Sequence, residues 1–471
     1  RFKKSSFDIV FLDENMPGMS GLKALEIIKK IQPNVPVIMI TKSEEEMIME
    51  EAIGKQISDY LIKPVNPNQI LMAIKKQIDS KRLISETNTS SYQQKFREIS
   101  NDLNSSLNLS EWIELFKKLN FWELQLENSD ENMSEIFNMQ KEEANHIFSK
   151  YVTNNYSDFL TESSTLLSHH ILEKKLFPKL EDENYFLVVI DNLRLDQWFV
   201  IKPIIEELFT IELEDVYCSI LPTTTQYSRN ALFAGLMPLE IKNRFPEKWV
   251  DEESEEGKNL HEEFLLNENL KRNSLNIKST YNKITNLNKG KKLLNNFNNL
   301  LRNNLNTIVY NFVDTLSHAR TEMDVIKELA EDESAYRSLT LSWFKHSPLF
   351  EMLKKMSENS CKVFLTTDHG TIRVKNASKI MGPKQINSNM RYKVSKNLSY
   401  NKKDVMEVLN PEKIFLPKNA LSSSYVFAKE NNFFVYPNNY HHFENLYNDT
   451  FQHGGISLEE MLIPYVFLKI K

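Results

Sequence analysis

The sequence predicts an α/β protein with three parts: an N-terminal α/β segment, an all-α middle segment and a large C-terminal α/β domain. Apolar, β-branched runs that end in acidic residues occur in the first 83 residues and again after residue 180, and such runs are typical of parallel strands buried on both faces. Residues 84–180 show helical periodicity with no strand signal of any length. We therefore expect two sheet-containing parts joined by helices.

The C-terminal segment places acids and histidines at the ends of predicted strands. Asp191, Asp314 and Asp368 each follow a run of apolar residues, and the carboxyl ends of parallel strands are where open α/β sheets bind ligands. His318 follows Asp314 at i+4, so both side chains reach one ion if the turn is helical. His369 adjoins Asp368. A lone Asp-His pair is usually an ordinary loop feature, and it is the ordered set that indicates a metal centre.

The order Asp, Thr, Asp-x-x-x-His, Asp-His-Gly and a C-terminal His-Gly-Gly resembles the PglZ branch of the alkaline phosphatase superfamily over residues 184–471. This resemblance implies an alkaline-phosphatase-like α/β/α domain at residues 181–471 that holds two Zn²⁺ ions side by side. Mixed histidine and carboxylate ligands suit zinc, and a pair of ions can hold both the attacking and the leaving oxygen of a phosphoryl transfer. By this resemblance one ion is held by Asp191, Thr225, Asp368 and His369, and the other by Asp314, His318 and His453.

Three hydroxyls in Pro222-Thr223-Thr224-Thr225 compete for the role of nucleophile. Family members with Pro-x-x-Thr use the fourth residue and have a glycine ten residues beyond it, a spacing that Thr225 and Gly235 fit. A threonine hydroxyl is a poor nucleophile at neutral pH, so coordination to a metal would activate it. The alternative is a Thr-rich loop that caps a helix starting near Gln226. The resemblance favours Thr225 as nucleophile, with the Gln226 backbone N–H as a donor to the developing charge.

The first 83 residues predict strands ending at Asp13, before Thr41 and before Lys63, with helices at residues 22–31, 44–54 and 67–83. An acid, a hydroxyl and a lysine at successive strand ends resemble the receiver domain of bacterial response regulators, which is flavodoxin-like. The resemblance implies that a sensor histidine kinase phosphorylates Asp13 and that Mg²⁺ binds to the complete domain. It also implies a switch made of Thr41, Tyr60 and Lys63.

A receiver begins with a strand, a helix and a second strand, and these are missing from the sequence, so an N-terminally incomplete receiver is expected at residues 1–83. The polar stretch Ser85–Ser91 is interpreted as an interruption. Helical periodicity follows at residues 92–99, 112–119, 131–151 and 157–176. Residues 84–180 are therefore predicted to form a helical bundle that links the two α/β parts.

Composition excludes some classes of protein. The chain has 471 residues with a net charge of −6, which argues against a general DNA-binding protein. No apolar run is long enough to span a bilayer and no signal peptide is found, so we expect a cytoplasmic protein without a membrane partner. Cys218 and Cys361 lie in apolar surroundings and are predicted to be buried and reduced.

Two segments beside proposed ligands are strongly basic. Residues 269–313 contain eight Lys or Arg and no acid, and residues 370–403 contain nine and no acid. They are interpreted either as solvated insertions that interrupt the sheet or as positive charge that attracts a polyanionic substrate to the cleft. The acidic stretch 251–263 is predicted to be a solvated lid or helix face without a chemical role.

A receiver, a helical linker and a PglZ domain in this order resemble the PorX-type response regulators of Bacteroidetes. The resemblance implies a zinc phosphodiesterase that acts on nucleotides or oligonucleotides, forms a homodimer on phosphorylation and works with a sigma factor in control of the type IX secretion system. One alternative is an interaction module that contacts the sigma factor and keeps zinc for structure or ligand sensing. A DNA-binding regulator ranks last, because no helix-turn-helix with a basic recognition face is apparent.

Overall fold

A computed structural model describes the chain except for residues 1–6, 8, 34, 43–56, 128–130, 163, 181–183, 252–256, 384–387 and 419–422, and except for the side chains of residues 75–88, 90, 131, 320–322 and 324–325. Contacts divide the chain into two units. One comprises residues 1–97 and 128–133, and the other comprises residues 98–127 and 134–471.

The first unit contains a three-stranded parallel sheet in the order β1-β2-β3, formed by Val10–Asp13, Val37–Thr41 and Asp59–Ile62. Helix α1 (Gly21–Ile31) starts after the capping hydroxyl of Ser20 and buries Leu22, Leu25 and Ile28 on one face. The apolar runs predict strands that start at Phe7 and Val35, and β1 and β2 start three and two residues later, at Val10 and Val37. The helix predicted at residues 44–54 lies outside the described residues.

Helix α2 (Pro67–Leu103) is continuous over 37 residues. The predicted interruption at Ser85–Ser91 is therefore wrong, and the predicted boundary between residues 83 and 84 falls inside a helix. The stretch contains neither glycine nor proline. Ser, Thr and Asn each cost only about 0.5 kcal/mol relative to alanine in a helix, which is too little to stop one that is already formed on both sides.

Two further long helices, α3 (Leu109–Gln125) and α4 (Glu131–Thr161), follow. Asn108 and Glu111 form a capping box at the start of α3, and Trp112 packs edge-on against Phe148 of α4 with ring centroids 5.3 Å apart. Among the described residues, no helix combines the length and the apolar character needed to cross a bilayer.

The helix predicted at residues 157–176 is wrong in its second half. Helix α4 ends at Thr161, the Leu166 carbonyl accepts a hydrogen bond from the Cys218 N–H at 3.0 Å, and Leu167 forms a parallel bridge to Cys218. Pairing with the end of a neighbouring strand satisfies this backbone outside a helix. Short 3₁₀ and π turns then cover Ser168–His170, Leu172–Leu176 and Phe177–Lys179.

The strands of the second unit are β4 (Tyr185–Ile190), β5 (Phe209–Cys218), β6 (Ser279–Ile284), β7 (Leu305–Tyr310), β8 (Lys362–Thr366), β9 (Ile372–Arg373), β10 (Asn376–Met381), β11 (Tyr392–Ser395), β12 (Ser399–Tyr400), β13 (Val405–Val408), β14 (Ser424–Ala428), β15 (Asn432–Val435), β16 (Phe451–Gln452) and β17 (Leu462–Ile470). Six form the large sheet in the order β5-β17-β8-β4-β7-β6. β8, β4, β7 and β6 are mutually parallel, whereas β17 is antiparallel to β8 and β5. β4 and β7 are buried along their whole length, as predicted from their apolar runs.

Smaller sheets join β12-β10-β15, β11-β14-β13 and β16-β9. The remaining helices are α5 (Leu195–Leu208), α6 (Asn230–Ala234), α7 (Pro238–Arg244), α8 (Glu262–Arg272), α9 (Leu287–Asn295), α10 (Phe297–Leu300), α11 (Phe312–Glu322), α12 (Asp324–Leu329), α13 (Glu333–His346), α14 (Pro348–Glu358), α15 (Tyr440–Tyr447) and α16 (Leu458–Met461).

The basic segment 269–313 does not interrupt the sheet, because it supplies strands β6 and β7. Only β7 was predicted from its apolar run, whereas β6 was missed because its sequence contains polar residues and a lysine and shows no such run. Of the two cysteines, Cys218 is buried at the end of β5 as predicted, but Cys361 is only half-buried. Cys361 precedes β8, where the chain has not yet entered the covered part of the sheet.

Candidate metal centre

The seven predicted ligand residues lie together at one edge of the large sheet. Asp191 directly follows β4, and Asp368 and His369 follow β8. Asp314 lies in the first turn of α11, which follows β7. Because β8, β4 and β7 are adjacent parallel strands, their carboxyl ends bring these side chains to the same place. The observed strand order thus explains why ligands far apart in sequence meet.

The side chains form two groups of donors. In the first group, the donor atoms of Asp191, Asp368 and His369 all lie within 4.8 Å of one another, with His369 Nε2 at 3.8 Å from Asp191 Oδ1 and 3.7 Å from Asp368 Oδ2. The second group is held within the same limit. It places Asp314 between two imidazoles: Oδ1 is 3.5 Å from His453 Nε2 and Oδ2 is 3.6 Å from His318 Nε2.

Thr225 adjoins the first group. Its hydroxyl oxygen lies 3.2 Å from His369 Nε2 and 3.4 Å from Asp191 Oδ1. Thr225 opens a π-helical turn (Thr225–Arg229) that runs into α6, so the backbone N–H of Gln226 lies in the first turn. Gly235 ends α6 with φ +59°, and a Cβ there would lie 2.6 Å from an atom of the Asn269 side chain. The spacing between Thr225 and Gly235 therefore spans one short helical element with a fixed end.

Backbone carbonyls orient the two inner histidines. His369 Nδ1 lies 3.1 Å from the Gly370 carbonyl and His453 Nδ1 lies 3.2 Å from the Thr223 carbonyl. The tautomer protonated at Nδ1 satisfies both hydrogen bonds and leaves each Nε2 lone pair facing the carboxylates. The rings stack with centroids 4.3 Å apart, so the two donor groups are neighbours.

Asn192 connects the groups further. Its backbone N–H donates to Asp368 Oδ1 at 3.3 Å, and its side-chain amide donates to Asp314 Oδ1 at 3.4 Å. It does so with φ +63°, a left-handed conformation that asparagine tolerates better than most residues.

The carboxylates oppose one another electrostatically. Burial and the neighbouring Asp191 raise the pKa of Asp314 to about 6, and the same two causes raise the pKa of Asp368. Burial also acts to raise the pKa of Asp191, but Arg229 and His369 outweigh it and hold that pKa below its usual value. Burial and the nearby His369 push the pKa of His453 well below its usual range, which keeps its lone pair available.

Arg229 and Glu262 belong to the site although the sequence analysis missed both. Buried Arg229 places Nη1 2.7 Å from Asp191 Oδ2 and 3.7 Å from Asp368 Oδ2, and its Nε donates to Glu262 Oε1 at 2.6 Å. Glu262 also bonds the Tyr281 hydroxyl and lies 3.1 Å from Lys283 Nζ.

The predicted solvated character of residues 251–263 is wrong for Glu262, which is 1% exposed. One signal was available for Arg229, because it lies one helical turn after Thr225 and so faces the same site. No local signal marks Glu262, whose burial comes from the packing of α8.

The residues of both groups fit zinc. Asp368 Oδ2 is buried and accepts no hydrogen bond from any described residue, and the mixed imidazole and carboxylate donors are those that Zn²⁺ takes in proteins. A third group, Glu123, Asp196 and Glu333, has comparable spacing. It is already neutralised by the cations Arg194, Arg337 and Lys141, so we interpret it as a structural ion-pair network.

In the first unit, Asp13 and Thr41 end their strands and Lys63 follows β3, whereas Tyr60 lies within β3. Asp13 ends β1 and forms an ion pair with Lys63, which follows β3. Hydrogen bonding by Lys63 lowers the pKa of Asp13, and the Asn15 N–H donates to Asp13 Oδ1 at 3.1 Å. Thr41 is buried at the end of β2, whereas Tyr60 is 38% exposed.

Comparison with known proteins identifies the larger unit. The family described as "BREX system PglZ alkaline phosphatase-like domain" matches residues 171–468. The chain belongs to the PglZ alkaline phosphatase-like family. The PorX response regulator linker domain matches residues 82–160, and the response regulator receiver domain matches residues 1–75. Together with the PglZ match, these are the parts of a PorX-type response regulator, which confirms the predicted fold class.

Several known proteins are similar to this chain over its receiver domain. Chemotaxis protein CheY of Thermotoga maritima is 33% identical over 76 residues, which are 16% of this chain and 63% of that protein. Two-component response regulator ARR14 of Arabidopsis thaliana is 36% identical over 70 residues, which are 15% of this chain and 18% of that protein. A CheY-like receiver structure from Methanospirillum hungatei is 27% identical, covers 17% of this chain and 65% of its own, and has a TM-score of 0.17. The chain thus spans less than two thirds of each of these relatives.

The domain assignments carry general consequences. A receiver domain implies phosphorylation by a histidine kinase. Receiver domains and alkaline phosphatase-like domains generally use metal ions, and the PglZ domain of this chain holds candidate groups of acidic and histidine donors.

The ion pair between Arg229 and Glu262 predicts that substitutions at the adjacent residues Glu262 and Glu263 change stability by very different amounts. Glu262→Gln removes the charge that faces buried Arg229, so we expect stability to fall by about 3 to 5 kcal/mol. Glu263→Gln alters an exposed neighbour and should change stability by less than about 0.5 kcal/mol. Urea unfolding followed by tryptophan fluorescence measures both. Equal unfolding midpoints for the two variants would contradict the structural role of Glu262.

Proposed function

We propose that the PglZ domain of this response regulator is a zinc-dependent phosphodiesterase that acts on nucleotides or oligonucleotides. The observation that carries the proposal is the placement of one threonine hydroxyl beside two preassembled groups of histidine and carboxylate donors. A structural zinc site is usually closed by four protein ligands without a reactive hydroxyl. Two adjacent groups with three donors each, and a hydroxyl within 3.4 Å of the first, suit catalysis better.

One ion would be held by Asp191, Asp368, His369 and the hydroxyl of Thr225, and the other by Asp314, His318 and His453. When bound, the ions would lower the pKa of the coordinated hydroxyl and neutralise charge on the phosphoryl oxygens. His318 is 60% exposed, so its group is open to solvent and to an incoming phosphate ester.

The chain's own residues would perform the remaining tasks. Thr225 Oγ1, oriented by Asp191 and His369, would lose its proton to water and attack the phosphorus as the bond to the leaving oxygen breaks, and the leaving oxygen would take a proton from water. A water molecule would then attack the phosphorus of the ester on Thr225, the bond to Oγ1 would break and Oγ1 would regain a proton, which releases the phosphate product. The Gln226 N–H, in the first turn of a helical element, would donate to a phosphoryl oxygen. Arg229 would keep Asp191 ionised throughout.

Surface charge supports a polyanionic substrate. Part of the basic content of residues 370–403 is already paired with acids, since Arg391 forms a buried ion pair with Glu460 and Arg373 forms a partly exposed ion pair with Asp449. Helix α9 differs, because its lysines Lys289, Lys291 and Lys292 are exposed. The helix begins three residues after β6 ends, at the edge of the sheet that carries the donor groups. Positive charge there would raise the association rate of an oligonucleotide.

The family resemblance supports the cellular part of the proposal. By it, the protein works in the cytoplasm under a sensor histidine kinase, forms a homodimer when Asp13 is phosphorylated, and acts with a sigma factor in control of the type IX secretion system. By the same resemblance, Thr41, which is buried, and Tyr60, which is exposed, would respond to a phosphate on Asp13.

The first prediction concerns metal content. We expect about two zinc ions per chain, and we expect Asp368→Ala and His453→Ala each to lose about one, because each removes a donor from a different group. His441→Ala is the control, since His441 is 91% exposed and lies outside both groups. Elemental analysis of the purified proteins measures the count. Full zinc occupancy in both test variants would rule out the ligand assignment.

The second prediction concerns the nucleophile. Thr225→Val keeps the shape of the side chain and removes its oxygen, so hydrolysis of bis(p-nitrophenyl) phosphate should fall by at least about a thousandfold. Thr224→Val removes a hydroxyl that has no hydrogen-bond partner among the described residues and should keep full activity. The opposite pattern, with Thr224→Val inactive and Thr225→Val active, would show that the spacing argument chose the wrong threonine.

The third prediction concerns phosphorylation. Beryllofluoride, a phosphoryl mimic, adds negative charge at Asp13 and competes for Lys63, so we expect it to convert monomer to dimer in the full-length protein, whose receiver domain is complete and can bind Mg²⁺. Light scattering at micromolar protein measures the mass, with Asp13→Ala as the control that cannot respond. An unchanged mass, with Asp13 shown to carry the mimic, would exclude dimerisation from the mechanism.

A further inference from the structure

Thr223 lies at the junction of two loops that carry proposed functional residues. Its hydroxyl donates to the Gly455 carbonyl at 3.0 Å and accepts from the Gly454 N–H at 3.0 Å. The side chain is fully buried. A hydroxyl offers one donor and two acceptor sites, and Thr223 uses both kinds on the same loop, the one that follows His453.

The backbone of Thr223 holds that loop as well. Its carbonyl lies 3.2 Å from His453 Nδ1, and this hydrogen bond turns Nε2 toward Asp314. Thr223 therefore contacts the His453 loop through both its side chain and its main chain. It also lies two residues before Thr225, so the same residue is fixed to the proposed nucleophile by covalent bonds.

A buried ion pair also holds the loop, and its carboxylate lies close to Thr223, with Glu460 Oε1 3.5 Å from Thr223 Oγ1. Glu460 accepts hydrogen bonds from the Gly455 N–H at 2.8 Å, from Arg391 Nη2 at 2.6 Å and from Ser457 Oγ at 2.7 Å. Glu460 and Arg391 are both fully buried. The ion pair and the hydroxyl of Thr223 therefore hold residues 454–455 together, Glu460 through the Gly455 N–H and Thr223 through the Gly454 N–H and the Gly455 carbonyl.

We propose that Thr223 is a positioning residue that sets the place of the ligand His453 relative to the nucleophile Thr225. The inference rests on the proposed function and adds a residue to it. Removal of a group that hydrogen-bonds to a metal ligand and orients it typically lowers metal affinity or activity by about 10- to 100-fold. The reason is that the ligands must be held within about 0.5 Å of their productive geometry.

The neighbouring Thr224 shows that the role is specific. Thr224 is also buried, yet its hydroxyl has no hydrogen-bond partner in the described part of the chain. A general requirement for threonine in this loop would act on both residues. A requirement for the hydrogen bonds to residues 454 and 455 acts on Thr223 alone, so the chain offers a matched control one residue away.

The test compares Thr223→Val, Thr223→Ser and Thr224→Val in the full chain. Zinc affinity is measured by competition with a chelator, kcat and KM are measured on bis(p-nitrophenyl) phosphate, and circular dichroism monitors folding. We expect Thr223→Val to weaken binding of the zinc assigned to Asp314, His318 and His453 by about 10- to 100-fold and to lower kcat by a similar factor, with KM little changed. Thr223→Ser should restore both values, and Thr224→Val should match the wild-type protein.

Two results would overturn the inference: wild-type zinc affinity in Thr223→Val, or a Thr223→Ser protein as impaired as Thr223→Val, which would assign the effect to the methyl group. If Thr223→Val does not fold, Thr223→Ala carries the same comparison, because it removes the hydroxyl without introducing a second methyl group. A wild-type protein that binds no zinc would instead overturn the proposed function, so the two failures are distinguishable.

Discussion

The repulsion among Asp191, Asp314 and Asp368 is the constraint on which the larger unit depends. Three adjacent parallel strands deliver these carboxylates to one edge of the sheet, where burial strengthens their repulsion. Arg229 supplies one positive charge to Asp191 and Asp368, and it needs Glu262 to be held in place. A single guanidinium leaves negative charge uncompensated, and two divalent cations bound between the carboxylates and the histidines would neutralise it. The folded protein therefore carries an electrostatic cost that bound metal ions would relieve.

The orientation of the histidine rings is set by a different interaction. An imidazole can bind a metal through either nitrogen. In His369 and His453, Nδ1 forms a hydrogen bond with a backbone carbonyl, so Nε2 is the nitrogen that remains for a metal. Both carbonyls belong to residues that contact buried Glu460: the Gly370 N–H donates to the Glu460 carbonyl at 3.1 Å, and Thr223 Oγ1 lies 3.5 Å from Glu460 Oε1. Asn192 then joins both donor groups through its backbone and its side chain. Because backbone groups direct the donors, the geometry of the centre is set before any ion binds.

The parts that could be predicted from the sequence are those governed by local pattern. The buried strands β4, β7 and β8 were predicted from apolar runs, and the acids that follow them indicated the edge of the sheet where the site lies. The i+4 spacing of Asp314 and His318 predicted that both side chains lie on the same face of a helix. Long-range packing governs what was missed. Glu262 looks like one acid among many, and only the tertiary contact with Arg229 distinguishes it. The interruption predicted in α2 failed because polar residues lower helix propensity without breaking a helix, and the end of α4 was missed because Cys218, which pairs with Leu167, is 51 residues away.

The central claim is that both donor groups hold zinc at the same time. Crystals of the protein prepared with zinc, measured on both sides of the zinc absorption edge, test it directly, because anomalous scattering locates the metal without reference to activity. The account predicts two anomalous peaks, one among Asp191, Asp368 and His369 and one among Asp314, His318 and His453. A map with no peak at either group, or with zinc only among Glu123, Asp196 and Glu333, would contradict it.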